Sequence, residues 1–244
     1  MIYFIISKII AYKERNIVIH KIDDIPVTTT FEQALEKLKI EDEDDIAMVH
    51  GLFNTAKEIT RPKVLYREAY VEEITGRNVR INGFVFQSDV LAANLKNIHR
   101  VFAYVTTCGT EVDDWSHSEK DYVVSLWLDM IKEMFLRQAN DFFREYIKKA
   151  YQFEKISAIN PGSGNEDNWH ISQQAQLFAM IGGVKDEIGV TLTDSFLMLP
   201  VKSTSGLLYP SETEFVNCAL CGRKNCQGRR AEFDSKLYAQ IFEH

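Results

Sequence analysis

The chain has 244 residues, 45% of them apolar and 11% aromatic, which is enough to bury the core of one large domain or two small ones. This composition excludes intrinsic disorder of the whole chain. With 28 Lys and Arg against 35 Asp and Glu, the net charge of −7 argues against nucleic acid or an anionic membrane surface as a partner.

The first half of the chain predicts mixed strands and helices. Residues 1–12 predict a strand, because the apolar run contains Lys8 and lacks both the basic leader of a signal peptide and the length of a membrane span. The acidic run 41–45 predicts a solvated loop or the start of a helix. A helix is predicted over 88–96, and the β-branched and aromatic run from Val101 predicts a strand closed by Gly109.

The strongest local pattern covers residues 118–151, where apolar pairs recur every four residues. It predicts one long helix, with Ser118 and Asp121 as a capping-box-like start. Such a repeat rotates the apolar stripe by about 240° over the helix. Either other elements wrap the helix on most sides, or it bends near residues 138–140.

The second half begins with Asn160, Pro161, Gly162, Ser163 and Gly164, which we call the glycine loop. Its composition predicts a sharp backbone turn that either precedes a helix or lets a ligand approach the main chain. A helix with Ser172 as N-cap should end at Gly182 and Gly183. Alternation over 188–192 and the run 196–199 predict two strands, and residues 203–206 predict either a bulged edge that lines a pocket or an ordinary strand connection.

Cys218, Cys221 and Cys226 form a C-x-x-C-x-x-x-x-C motif with Arg229 and Arg230 close behind it. The spacing fits zinc, with a fourth ligand such as Cys108 or a histidine, or an iron–sulfur cluster with one open iron. Reduced thiols without metal and a disulfide or redox pair are the alternatives. Four cysteines in 244 residues are unlike a secreted disulfide framework, so we expect a reducing cytoplasm.

Common catalytic and nucleotide-binding signatures are absent from the sequence. It contains no phosphate-binding G-x-x-x-x-G-K, no dinucleotide-binding G-x-G-x-x-G, no nucleophile elbow and no paired histidine motif. We therefore assign no catalytic residue.

The order of the motifs in the second half resembles the activation domain of cobalamin-dependent methionine synthase. That family has a loop R-P-x-x-G-Y-P, a helix, and a run G-x-x-L-T-x-S-x-x-M-x-P followed by S-x-S-G. The matching positions are Pro161, Gly164, Gly189, Leu192, Thr193, Ser195, Met198, Pro200, Ser203, Ser205 and Gly206. The separate chain and its three-cysteine tail resemble stand-alone bacterial relatives of the domain. Asn160 and Asn165 stand where the family has arginine and tyrosine, and Leu208 stands where it has an aromatic residue.

The resemblance implies a C-shaped α+β fold with a mostly antiparallel sheet, flanking helices and one long helix. It divides the chain into an N-terminal extension or small subdomain (1–60), an activation-domain-like core (61–215) and a cysteine-containing tail (216–244). It implies an accessory module of a methionine synthase or related corrinoid methyltransferase, which binds S-adenosylmethionine for reductive reactivation of cobalamin. The residues implied for the cofactor are Asn160, Pro161, Gly162, Gly164, Ser203, Ser205, Gly206 and Tyr209.

The implied partners are a cobalamin-binding protein or split methionine synthase, with a flavodoxin-type electron donor. Cobalamin would be met only through that partner. The alternative is a non-catalytic metal or iron–sulfur scaffold that interacts with a corrinoid protein.

Overall fold

The computed structural model describes residues 8–12, 17–164, 168–212, 215–226 and 229–242, with the backbone alone for 8–12 and 17. The strands are β1 Lys8–Tyr12, β2 Ile17–Ile22, β3 Lys63–Thr75, β4 Asn78–Ile81, β5 Phe84–Gln87, β6 Arg100–Thr107, β7 Ile156–Ile159, β8 Thr191–Leu192, β9 Met198–Leu199 and β10 Ser203–Pro210. The helices are α1 Phe31–Leu38, α2 Glu43–Ile59, α3 Asp89–Leu95, α4 Thr110–Ser116, α5 Tyr122–Tyr151, α6 Gln174–Ile181, α7 Val184–Ile188 and α8 Ser235–Phe242, with 3-10 turns at Ile171–Gln173 and Asn217–Leu220.

An eight-stranded antiparallel sheet organises the described part of the chain. Its strand order is β1-β2-β3-β6-β10-β7, and the β4-β5 hairpin extends from β3. The central strand β6 is buried along nearly its whole length, as its β-branched and aromatic sequence predicts. The predicted α+β class with a mostly antiparallel sheet is confirmed.

The two faces of the sheet support different layers because side chains alternate along each strand. On one face Tyr104 and Leu208 pack with Phe143 of the long helix α5. On the opposite face Val105 and Leu207 join a separate core with α3, α6 and α7.

Helix α5 is one continuous helix of 30 residues, and its surroundings account for the rotation of its apolar stripe. Its first half packs on α2 and α4 through Ile131 and Phe135. Its second half packs on the sheet through Phe143 and Ile147. The predicted wrapping on most sides is found only in part: different neighbours cover successive stretches of the helix, whereas Tyr122, Val123 and Leu126 at its start are exposed. Polar residues such as Gln138, which accepts from Thr28 N at 2.9 Å, interrupt the stripe by tying the helix to its neighbours.

Three predicted boundaries are wrong in detail. Asp121 rather than Ser118 caps α5, because its carboxylate accepts from two first-turn N–H groups. The N-cap before the 3-10 turn is His170 rather than Ser172. Residues 188–190 are not a strand, because glycines with positive φ at 183 and 189 bound the short helix α7 and leave only β8 extended.

The other predicted elements are found. The acidic run begins α2, capped by Asp42, and Ser88 caps α3. Helix α6 ends at Gly182, and β9 pairs with β8. The predicted strand 1–12 is present as β1, with residues 1–7 outside the described part of the chain.

The N-terminal and C-terminal segments pack against the centre. Strand β2 pairs with β3, α2 packs on α5, and α8 packs on α3. The division at residues 60 and 215 stays a prediction. Within the described residues, no helix combines the length and apolar character needed to cross a membrane.

Candidate ligand pocket between the long helix and the sheet

Strand β10 loses one of its two neighbours where the glycine loop begins. Strand β7 pairs with β10 only from Leu207 to Pro210, so residues 203–206 of β10 pair with β6 alone. Their register with β6 is unbroken, so of the two predicted alternatives the bulged edge is wrong and ordinary strand pairing is found, although this stretch does have an edge free of β7. At the end of β7 the Asn160 amide donates to the Ser205 carbonyl at 2.7 Å and to the Tyr104 hydroxyl at 2.9 Å.

Gly206 makes this arrangement possible. A Cβ built at Gly206 would lie 2.5 Å from Asn160 Nδ2 and 2.5 Å from the Ile159 carbonyl oxygen. Both distances are shorter than van der Waals contact, so only glycine lets the Asn160 side chain cross the strand to Tyr104. The glycine of the S-x-S-G motif therefore shapes the site through close approach.

Asn160 opens onto a cavity of about 500 Å³ between α5 and the sheet, which we call the Asn160 pocket. Ala158, Leu208 and Phe143 give it an apolar floor. Its rim is polar and charged, formed by Glu133, Arg137, Asn140, Asp141, Arg144, Thr204 and Arg230. This volume and mixed lining are typical of pockets for small organic ligands.

The long helix contributes a stripe of polar residues to the pocket. Glu133, Arg137, Asn140 and Arg144 are spaced by four, three and four positions, which places them on one helix face. Asn140 Nδ2 donates to Thr204 Oγ1 at 3.3 Å, whereas its Oδ1 is buried without a hydrogen-bond partner. A buried acceptor without a partner is costly, so a ligand that donates a hydrogen bond at this point gains free energy.

Tyr104 forms the buried end of the pocket. Burial raises the pKa of its hydroxyl, opposed by the Asn160 hydrogen bond and by the positive charges of Arg144 and Arg230. Tyr104 therefore stays neutral and serves as a hydrogen-bonding group rather than a base. The rim also holds an ion pair between Arg137 Nε and Glu133 Oε1 at 3.1 Å.

The glycine loop turns sharply, as its composition predicts. Gly162 and Gly164 have φ of +72° and +90°, a region that favours glycine. Gly162 N donates to the Trp169 carbonyl at 2.8 Å, and Pro161 is buried. These backbone groups shape the turn beside Asn160. The other departure from the family motif in this loop, Asn165, lies outside the described residues.

Three predicted binding residues direct their hydroxyls away from the Asn160 pocket. Ser203 Oγ donates to the Pro200 carbonyl at 2.8 Å, and Ser205 Oγ donates to Gln174 Oε1 at 2.9 Å. Tyr209 is buried on the same face as Ser205, and its hydroxyl donates to Asn94 Oδ1 at 3.0 Å. Strand alternation places all three on the face opposite Thr204, so the structure does not bring their side chains together with Asn160.

The cysteine tail makes a tight turn at the 3-10 helix Asn217–Leu220, which contains Cys218. Cys221 is buried, Cys218 is half-buried and Cys226 is exposed, and all four cysteines of the chain are free. Cys108 lies in the separate core between α2, α4 and α5. Among the described residues, no group of three His, Cys, Asp or Glu is arranged to hold a metal ion. The predicted zinc or iron–sulfur site stays a prediction.

Sequence reasoning missed most of the pocket lining. Tyr104, Asn140 and Arg144 come from β6 and α5, which are distant in sequence from the glycine loop. The sequence did contain one signal for this lining, the polar residues spaced by four, three and four positions along α5, but the prediction of that helix rested only on its apolar pairs. Thr204 was named only as part of its strand, and Arg230 only as a neighbour of the cysteines.

Residues 35–228 match the sequence family described as vitamin B12 dependent methionine synthase, activation domain. The chain belongs to this family. The matched range contains the glycine loop, α5 and β10, which surround the Asn160 pocket. No curated protein matches the sequence as a relative.

The fold is also similar to a solved structure of the same kind of domain. The crystal structure of the MetH reactivation domain bound to AdoHcy matches with a TM-score of 0.57 and 14% sequence identity, covering 82% of this chain and 81% of that chain. At this identity the likeness confirms the fold. The predicted activation-domain fold and family are therefore both confirmed.

Proposed function

We propose that the Asn160 pocket binds S-adenosylmethionine, and that the protein positions its methyl group for transfer to the cobalamin of a partner during reductive reactivation. Family membership supports this role, because activation domains serve vitamin B12-dependent methionine synthase. The observation that carries the proposal is that Asn160, at the motif position where the family has arginine, opens directly onto a polar pocket beside the long helix. The related reactivation domain was crystallised with AdoHcy, which is S-adenosylmethionine without its methyl group.

The lining of the Asn160 pocket fits the groups of this ligand. S-adenosylmethionine has a carboxylate, an ammonium group, a cationic sulfonium and a flat apolar base. Guanidinium groups of the rim suit the carboxylate, and Glu133 and Asp141 suit the cationic groups. The buried Oδ1 of Asn140 can accept from the ammonium or the adenine amino group.

The protein's contribution is position rather than acid or base chemistry. When bound, the ligand's sulfonium supplies the methyl group. Tyr104 is held neutral, and Asn160, Asn140 and Thr204 bind one another or the backbone, so none is placed as a general base. These residues fix the ligand so that its methyl group can face a docked partner.

The surface beside the pocket supports a partner that covers it. Lys202 pairs with Asp129 at 2.9 Å and lies 3.8 Å from Glu133 of the pocket, which ties the segment before β10 to α5. Next to Lys202, Val201 is 64% exposed, and Leu199 is 46% exposed. Exposed apolar groups next to a ligand site are typical of a docking surface. We propose a cobalamin-binding protein or split methionine synthase as the partner and a flavodoxin-type donor as the electron source, in a reducing cytoplasm.

Isothermal titration with S-adenosylmethionine tests the proposal on anaerobically purified protein. We expect saturable binding, weakened about tenfold or more by Asn140→Leu, which removes the buried acceptor but keeps the side-chain size. Tyr209→Phe is the matched control on the opposite face and should bind as the wild type does. Absence of binding at millimolar ligand would refute the proposal, and loss of binding in the Tyr209 variant alone would move the site across the sheet. Metal analysis of the same sample tests the alternative metal or iron–sulfur scaffold.

A further inference from the structure

Asn160, which follows β7, cannot donate a hydrogen bond to a ligand carboxylate. Both N–H groups of the Asn160 amide are already donated, to Ser205 O and to Tyr104 Oη. The remaining Oδ1 is an acceptor and repels an anion. A ligand carboxylate in the Asn160 pocket therefore needs a donor from another element.

Three guanidinium groups line the pocket, and two of them are held by partners on α5 and β7. Arg137 is paired with Glu133 at 3.1 Å, and Arg144 donates to the Ile156 carbonyl at 3.1 Å. The third, Arg230, comes from the tail and is exposed at the pocket rim. Its positive charge also acts on Tyr104, which lines the same pocket and accepts from Asn160.

The tail holds Arg230 in this position through its neighbours. Arg229 donates to the carbonyls of Cys221 at 3.2 Å and Ala231 at 3.1 Å, so its guanidinium is committed to the turn. Despite the opposing effect of burial, the backbone of Arg230 and Ala231 and the charge and side chain of Arg230 lower the pKa of the Cys218 thiol, so Arg230 lies beside the cysteine turn. The two adjacent arginines thus differ, since Arg229 braces the turn and Arg230 faces the pocket.

We infer that Arg230 of the cysteine tail is the residue that recognises the carboxylate of the ligand in the Asn160 pocket. The inference rests on the proposed function and adds a specificity residue from a segment outside the motif of the glycine loop. A guanidinium donates two parallel hydrogen bonds to a carboxylate, a contact that a neutral amide cannot replace. In this chain the tail thereby supplies the positive charge that residue 160 lacks.

The test compares two ligands, S-adenosylmethionine and its decarboxylated analogue, by titration of the full chain. Arg230→Gln should weaken S-adenosylmethionine binding by roughly 10- to 100-fold and leave the decarboxylated analogue within about threefold. Arg230→Lys, which keeps the charge, should fall between the wild type and Arg230→Gln. Lys224→Gln removes an exposed charge from the same tail and should bind both ligands as the wild type does.

The outcomes separate the inference from the proposed function. If the wild type binds and Arg230→Gln binds equally well, or loses both ligands to the same extent, the carboxylate role is refuted while the pocket stands. If the wild type binds neither ligand, the proposed function fails and the role of Arg230 fails with it. Equal thermal midpoints for Arg230→Gln and the wild type show that a loss of affinity is not a loss of fold.

Discussion

Replacement of Gly206 by alanine should disturb the pocket and destabilise the protein. The added methyl would lie 2.5 Å from the Ile159 carbonyl oxygen, which is backbone, and 2.5 Å from Asn160 Nδ2. The backbones of β10 and β7 are held together here by strand pairing, since Leu207, next to Gly206, lies opposite Ile159. The end of β7 must therefore move away from β10.

The size of the effect follows from what that movement breaks. Two Asn160 hydrogen bonds are lost, at 2.7 and 2.9 Å, each contributing about 1 kcal/mol. Overpacking adds about 1–3 kcal/mol. The lower entropy of the unfolded alanine chain offsets roughly 0.4–1 kcal/mol. We expect the free energy of unfolding to fall by about 2–4.6 kcal/mol.

Urea unfolding followed by circular dichroism measures this change. Gly51→Ala is the control, because Gly51 lies in α2 with no atom within 4 Å of a built Cβ. That variant should be as stable as the wild type or up to about 1 kcal/mol more stable. If Gly206→Ala unfolds within about 0.5 kcal/mol of the wild type, the close approach of Asn160 is not a constraint and the reasoning fails.

Three other predictions concern stability and thiol chemistry. Lys132→Ala breaks a buried ion pair with Asp113 at 2.8 Å and should cost about 3–5 kcal/mol in urea unfolding, whereas Lys148→Ala, which removes an exposed pair, should cost less than about 0.5 kcal/mol; equal effects would contradict this. Burial raises the pKa of Cys108 to about 12, so mass spectrometry should find Cys108 unmodified by iodoacetamide in the native protein at pH 8 and modified in urea. Burial lowers the pKa of His20 despite the opposing charge of Glu68, so protonation favours the unfolded state and the thermal midpoint should fall as pH drops below 6.5; His20→Gln should flatten that dependence, and an unchanged slope would refute it.

Local sequence was sufficient where an element is defined by its own pattern. The apolar pairs of α5 and the β-branched run of β6 predict their elements because periodicity of 3.6 or 2 residues is a local property. The pattern failed at 188–190, where apolar alternation suggested a strand but two glycines with positive φ closed a short helix instead. Short apolar runs fit both periods, so the backbone conformation at the glycines decides between them.

The candidate site was predicted only in part for a related reason. The glycine loop and the S-x-S-G segment were identified from their order in the chain, and the structure joins them through Asn160 and Gly206. Which face of β10 meets the loop depends on strand register with β6 and β7. That register places the hydroxyls of Ser203, Ser205 and Tyr209 on the face opposite Thr204, and their role as binding residues stays a prediction.

The sequence by itself therefore determined the family, the fold class and the sharp turn of the glycine loop, because motif order and periodicity are properties of the chain alone. Only the tertiary structure decided that Tyr104, Asn140 and Arg230 complete the Asn160 pocket. These residues come from a central strand, the long helix and the tail, and no spacing in the sequence relates them. Antiparallel pairing and the packing of α5 on the sheet bring them together, and those contacts arise only when the chain buries its core.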